Sequence, residues 1–82
     1  MIKVSVKLYA HLREAAPSQA VNGVWQEELP KEFTLKDLLA KVGLAGGERS
    51  AVVVMVNGRV VKDDYHLVNR DEISMFPPLV GG

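Results

Sequence analysis

The side chains that usually carry chemistry are sparse in this sequence. It contains no cysteine, which removes thiol nucleophiles, thiolate metal ligands and disulfide bridges together. His11 and His66 are the only imidazoles. Neither has an acid or a second ligand at the spacing that metal sites and hydrolytic triads use, so both are expected at the surface. The acidic neighbours Glu27-Glu28, Asp63-Asp64 and Asp71-Glu72 read as solvated surface rather than catalytic dyads. Gly43, Gly46 and Gly47 are followed by Glu48 and Arg49, not by the Lys and Ser or Thr of a phosphate loop, and no Gly-x-Gly-x-x-Gly run occurs. What remains is backbone chemistry at the last residues, Pro77-Pro78-Leu79-Val80-Gly81-Gly82.

A carboxylate at Gly82 is expected to be ionised at neutral pH, since its reference pKa is about 3.3 to 3.7. That makes it a poor electrophile until one oxygen is exchanged for a better leaving group. The chain has no ATP site for that exchange, so any chemistry at the tail implies an activating enzyme. Gly81 and Gly82 lack a Cβ and fit a channel that rejects other residues. Pro77 and Pro78 fix φ and withhold two backbone donors, so a sheet ladder should stop there and the chain leave in an extended direction. Six residues reach roughly 20 Å. Leu79 and Val80 are an apolar pair that costs solubility unless a partner covers it.

Something must carry this tail. The chain has 82 residues, 48% of them hydrophobic, the size of one small domain with a compact core. Ten acidic and ten strongly basic residues give a formal net charge of zero, with no cationic run of the kind nucleic-acid binders use to displace counterions. The longest strongly apolar run, Ala51 to Val56, is far below the roughly 20 residues that span a bilayer. The first residues enter an alternating pattern at once, without a signal-peptide pattern. A soluble, cytoplasmic protein is expected, with no nucleic-acid or membrane partner.

Ile2, Val4, Val6 and Leu8 alternate with Lys3, Ser5, Lys7 and Tyr9, the period of a strand with one face on the core. Tyr9 to Ala16 reads as a helical turn or two before Pro17. Asn22-Gly23 suits a turn, and Val24 to Leu29 an exposed strand closed by Pro30. Thr34 and Asp37 sit as a capping box, with Phe33 and Leu38 at staple spacing. Leu35, Leu38, Leu39 and Val42 share one helical face, and Gly43 suits the stop, which predicts a helix over Leu35 to Val42. Residues 45–50 read as a loop. Ala51 to Val56 predicts a strand covered on both faces, followed by an Asn57-Gly58 hairpin turn and the returning Arg59-Val60-Val61. A polar loop from Lys62 to Asp71 is expected to be anchored by Tyr65 and Leu67, with Val68 a further candidate. Glu72 to Phe76 predicts a last strand, with Ile73 and Met75 on one face and Ser74 and Phe76 on the other. One main helix packed on one face of a mixed sheet is a two-layer α+β arrangement, which matches the ubiquitin-like β-grasp. The domain is expected to occupy residues 1–76 and a flexible tail residues 77–82.

These elements and the tail together resemble the MoaD/ThiS family of ubiquitin-like sulfur carriers. The resemblance runs through Val6-Lys7-Leu8-Tyr9-Ala10-His11-Leu12-Arg13-Glu14, Thr34-Leu35-Lys36-Asp37-Leu38-Leu39, Val56-Asn57-Gly58, and Asp71 to Gly82. The segment Phe76-Pro77-Pro78 followed by two residues and Gly81-Gly82 is its most specific part. It looks most like the MoaD branch, the small subunits of molybdopterin synthase. The stretch Pro17 to Glu32, including Trp25, matches least.

The resemblance implies that an E1-like enzyme adenylates the Gly82 carboxylate with its own ATP, this chain binding no cofactor or metal. A sulfur donor protein would then convert the adenylate to a thiocarboxylate. Gly82 would deliver sulfur to a pterin precursor in a large, MoaE-like synthase subunit, with Gly81 giving clearance for insertion. Pro77 and Pro78 would set the exit, while Leu79 and Val80 pack in the partner's groove. Met75 and Phe76, with exposed residues of the sheet face away from the helix, are the docking candidates; a place in the core is equally open for Phe76. The chain would then have no independent active site and act as the sulfur-donating subunit of a synthase. The same features allow a modifier conjugated to lysines, a carrier for thiamine, tRNA thiolation or another pathway, or a pure binding subunit.

Overall fold

The computed structural model describes residues 1–44 and 52–77. Strand β1 (Ile2–Leu8) buries Ile2, Val4, Val6 and Leu8 and leaves Lys3, Ser5 and Lys7 on the opposite face, as the alternation requires. A short 3-10 helix, Ala10–Ala15, follows and buries Leu12. Strand β2 (Val24–Leu29) returns antiparallel to β1, with Ile2 opposite Leu29 and Lys7 opposite Val24. The turn before it passes close beneath β1: a Cβ at Gly23 would lie 2.7 Å from the Leu8 carbonyl oxygen, and φ there is +78°, so only glycine fits. The strand is exposed at Gln26 and Glu28, but Trp25 is 4% exposed and belongs to the core.

Helix α1 spans Leu35–Lys41, one residue shorter than its periodicity predicts, because Val42 is its C-cap. The capping box is formed. Thr34 Oγ1 accepts from the Asp37 N–H at 3.3 Å, and Asp37 Oδ2 accepts from the Thr34 N–H at 3.0 Å. At the other end the Leu44 N–H donates to the Leu39 carbonyl and the Gly43 N–H to the Ala40 carbonyl. With φ +83° at Gly43, this is the Schellman closure. Leu35, Leu38 and Leu39 enter the same apolar cluster as the even-numbered residues of β1.

Strands β3 (Val53–Val56), β4 (Arg59–Val60) and β5 (Glu72–Phe76) complete a five-stranded sheet in the order β2-β1-β5-β3-β4. Strands β1 and β5 lie parallel at its centre, and β3 is antiparallel to β5. Of the stretch expected to run as a strand from Ala51, residue 51 and the loop before it lie outside the described residues. The expectation that both faces of this strand are covered does not hold. Val52, Val54 and Val56 are buried, whereas Val53 is 38% exposed and Met55 half-buried. There is one α-helix among the described residues, and it covers one face of the sheet.

The start of β5 is held by a buried polar cluster. Asp71 is 2% exposed, which corrects its reading as solvated surface. Its Oδ1 accepts from Asn57 Nδ2 at 2.8 Å, and its Oδ2 accepts from the Tyr65 hydroxyl at 3.0 Å and the Val68 N–H at 2.9 Å. These donors supply the hydrogen bonds that a carboxylate removed from water must have. Asn57, in the β3–β4 turn at φ +52°, also accepts from the Glu72 N–H through Oδ1 at 2.9 Å.

Candidate functional site

The site is the outer face of the sheet where β5 ends. Alternation along β5 sends Ile73 and Met75 inward and Ser74 and Phe76 outward, as the sequence predicts. Phe76 is half-buried and stacks on Tyr9, the ring centroids 4.4 Å apart and the planes inclined by 20°. The Lys7 ammonium sits 4.7 Å from the centre of the Tyr9 ring on the same face, a cation–π contact. Tyr9 is held by its backbone, which donates to the Met75 carbonyl at 3.1 Å. Across the sheet, Val53 pairs with Phe76 and Met55 with Ser74.

Tyr9, Ala10, Val53, Met55, Phe76 and Pro77 line a groove of about 650 Å³. Ala10 takes φ +54°, a conformation that costs a residue with a Cβ some strain. The other end of the same sheet face is polar, a hollow of about 480 Å³ lined by residues that include Lys3, Gln26, Asn69, Arg70 and Glu72. The outer face is thus graded, from charged at the start of β5 to apolar at its end.

Met75 does not belong to the docking surface. It is 0% exposed and packs in the core, because its place in the alternation points it inward. Phe76 and Pro77 do line the groove. Pro78, Leu79, Val80, Gly81 and Gly82 lie outside the described residues. His11 and His66 are exposed, and among the described residues no group of three or more His, Cys, Asp or Glu side chains could hold a metal ion. Glu27 accepts from Trp25 Nε1 at 2.9 Å and pairs with Lys41 at 3.8 Å, a local contact that anchors Trp25. No helix among the described residues is long and apolar enough to cross a membrane.

Sequence reading singles out Phe76 but not Tyr9, Val53 or Met55 by name. The signal was present for Tyr9, which continues the odd-numbered face of β1. For Val53 and Met55 the unbroken apolar run hid it.

Among the described residues, two titrating groups are shifted. Burial, helped by the Asp71 carboxylate beside it, raises the Tyr65 phenol above its ordinary value of 10.0. Hydrogen bonds from the Thr34 backbone and side chain hold Asp37 below its ordinary 3.8.

Comparison with known proteins agrees with this architecture. A candidate molybdopterin converting factor subunit 1 from Pyrococcus furiosus superposes with a TM-score of 0.76 at 28% identity, covering 96% of this chain and 100% of that one. Small archaeal modifier protein 1 of Haloferax volcanii superposes at 0.75 with 26% identity, covering 98% and 99%. The ubiquitin of Caldiarchaeum subterraneum, 15% identical with a TM-score of 0.61 over 99% and 98% of the two chains, shares the fold. Curated protein sequences contain no significant match. The sheet order, the helix on one face and these superpositions make the domain a ubiquitin-like β-grasp. The model of the ThiS family matches residues 6–82, from the middle of β1 through both glycines, and the chain therefore belongs to the ThiS family.

Proposed function

We propose that this protein is a sulfur carrier whose Gly82 carboxylate is activated and loaded by partner enzymes, and that it serves as the small subunit of a molybdopterin synthase. The observation that carries the reading is the continuity of the ThiS match through Gly81 and Gly82 with a fold that ends β5 beside an apolar groove. In the proposed cycle an E1-like enzyme lets a Gly82 carboxylate oxygen attack the α-phosphorus of ATP, releasing pyrophosphate. The terminal persulfide sulfur of a donor protein attacks the acyl-adenylate and displaces AMP. A thiol reductant then cleaves the resulting acyl disulfide, which forms a disulfide on the donor side and leaves a thiocarboxylate. That group is a good nucleophile at neutral pH: its sulfur bonds to a carbon of the pterin precursor in a large, MoaE-like subunit and displaces an oxygen substituent there. Water then hydrolyses the resulting thioester, which leaves sulfur on the pterin and restores the Gly82 carboxylate. ATP belongs to the activating enzyme, and the carrier itself needs no cofactor or metal.

The described residues have a role in docking. Tyr9, Val53, Met55, Phe76 and Pro77 offer an apolar face at the point of exit, the kind of surface whose burial drives association. Pro77 and Pro78 direct the chain outward, Leu79 and Val80 extend the apolar contact, and Gly81 admits Gly82 to a narrow site. The likeness to the Pyrococcus furiosus protein supports the pterin pathway. The likeness to small archaeal modifier protein 1 supports a second reading, an isopeptide bond between Gly82 and a lysine. Mass spectrometry of the protein isolated from its own cells distinguishes them. A C-terminal peptide heavier by the difference between sulfur and oxygen, lost when Gly82 is deleted, is expected. Lysine-linked Gly82 with no sulfur-bearing form selects the modifier, and neither form leaves only a binding role.

A further inference from the structure

We propose that the buried cluster around Asp71 is a positioning device: it locks β5 in one register and so sets how far the residues after Phe76 project beyond the sheet. Asp71 continues the core-facing series of β5, since Asp71, Ile73 and Met75 are all buried while Glu72 is exposed. A one-residue slide would turn Ile73 and Met75 outward and is resisted by the apolar pattern alone. A two-residue slide keeps every side chain on its own face and, of the buried apolar residues of β5, carries only Met75 out of the core, so apolar burial resists it less. Such a slide moves the end of the strand by about 6.6 Å, enough to misplace a reacting carboxylate.

The carboxylate supplies the missing constraint. Slid two residues toward the tail, Asp71 would take the apolar place of Ile73 and lose the donors on Asn57, Tyr65 and Val68. Asn57 closes the clasp from the neighbouring hairpin, donating its N–H to the Glu72 carbonyl at 2.8 Å and accepting the Glu72 N–H at 2.9 Å. An apolar residue at 71 would leave the donors on Asn57, Tyr65 and Val68 unpaired, but its side chain would be at home in either register. The cluster thereby gives β5 one defined register.

The test uses the absence of native cysteine. In the observed register Met55 faces Ser74, and Glu72 is its diagonal neighbour at about 7–8 Å, beyond the usual disulfide range of about 4.4–6.8 Å. After the slide Met55 and Glu72 stand directly opposite. The pair Met55→Cys with Glu72→Cys therefore reports the slid register, and Met55→Cys with Ser74→Cys the observed one. Only the backbone of Glu72 takes part in the cluster. With Asp71 present, the 55/72 pair is expected to oxidise more slowly than the 55/74 pair. Asp71→Leu should speed the 55/72 pair by about tenfold, the scale set by the loss of an unsatisfied buried carboxylate. Equal 55/72 rates with Asp71 and Leu overturn the proposal. Should Asp71→Leu fail to fold, Tyr65→Phe removes a single donor and is expected to give a smaller increase, and no increase is again fatal. Sulfur delivery by Asp71→Leu, the one arm that rests on the sulfur-carrier reading, should fall as the slid fraction rises. A native chain that never acquires sulfur removes that reading and leaves the cross-linking result standing.

Discussion

Gly81 and Gly82 are assigned a role for what they lack, whereas Asp71 and Tyr65 act through what they hold. Under the proposed reading position 81 serves the partner and not the core, so Gly81→Ala is expected to change unfolding free energy by no more than about 0.5 kcal/mol. On the same reading, sulfur transfer to the partner's substrate should nevertheless fall, because a methyl group is added where the proposed role requires clearance. Unchanged transfer with lowered thermal stability would reverse that assignment. Tyr65 makes a pH prediction. Burial first, and the Asp71 carboxylate second, favour the neutral phenol in the folded state. The folded chain therefore holds this proton more tightly than the unfolded chain. The contribution is complete below the ordinary value of 10.0 and is lost as pH rises through the higher folded value. Denaturant midpoints measured across that alkaline range should fall in the native chain, and Tyr65→Phe should flatten this part of the decline.

Among the elements, α1 and β3 contrast in how well local pattern foretold them. The helix was legible because each of its determinants is local: the Thr34–Asp37 box, the leucines at three- and four-residue spacing, and Gly43 at the stop. Leu38 is fully buried against the sheet. Leu38→Ala should therefore cost about 2–5 kcal/mol, the range for truncating a buried leucine. A near-zero change in a denaturant melt would mean the helix does not seal this face. In β3, a run of valines and one methionine has no alternation to tell the covered face from the bare one. The pairing of Val53 with Phe76, which no local rule supplies, places it on the outer side.

For the molecule as a whole, the graded outer face predicts how partners approach. The apolar end beside Pro77 would be buried in the complex, and the charged end around Lys3 and Arg70 would remain at the rim. Val53 is partly exposed in the groove, so Val53→Asp should leave the thermal midpoint nearly unchanged while weakening capture of the proposed large subunit. A central apolar contact of this kind is worth about 2 kcal/mol or more, roughly thirtyfold in Kd. Titration calorimetry with the partner would measure it, and an unaltered Kd would place docking elsewhere.

Several features followed from the linear order of residues: the elements, the helix caps, the inward Ile73 and Met75, and the resemblance carried by the last twelve residues. Each depends on neighbours a few positions apart, where backbone geometry fixes which side chains share a face. The core position of Met75 follows from the same alternation and removes it from the docking candidates. Tertiary structure alone decided that Asp71 is buried, since its partners at 57, 65 and 68 converge through the hairpin and the long loop. It alone decided that Tyr9, Val53 and Phe76 form one surface, because strands far apart in the chain become neighbours only when the sheet closes around β5. Non-local pairing is set by the combined burial of the whole core, which no short window of sequence contains.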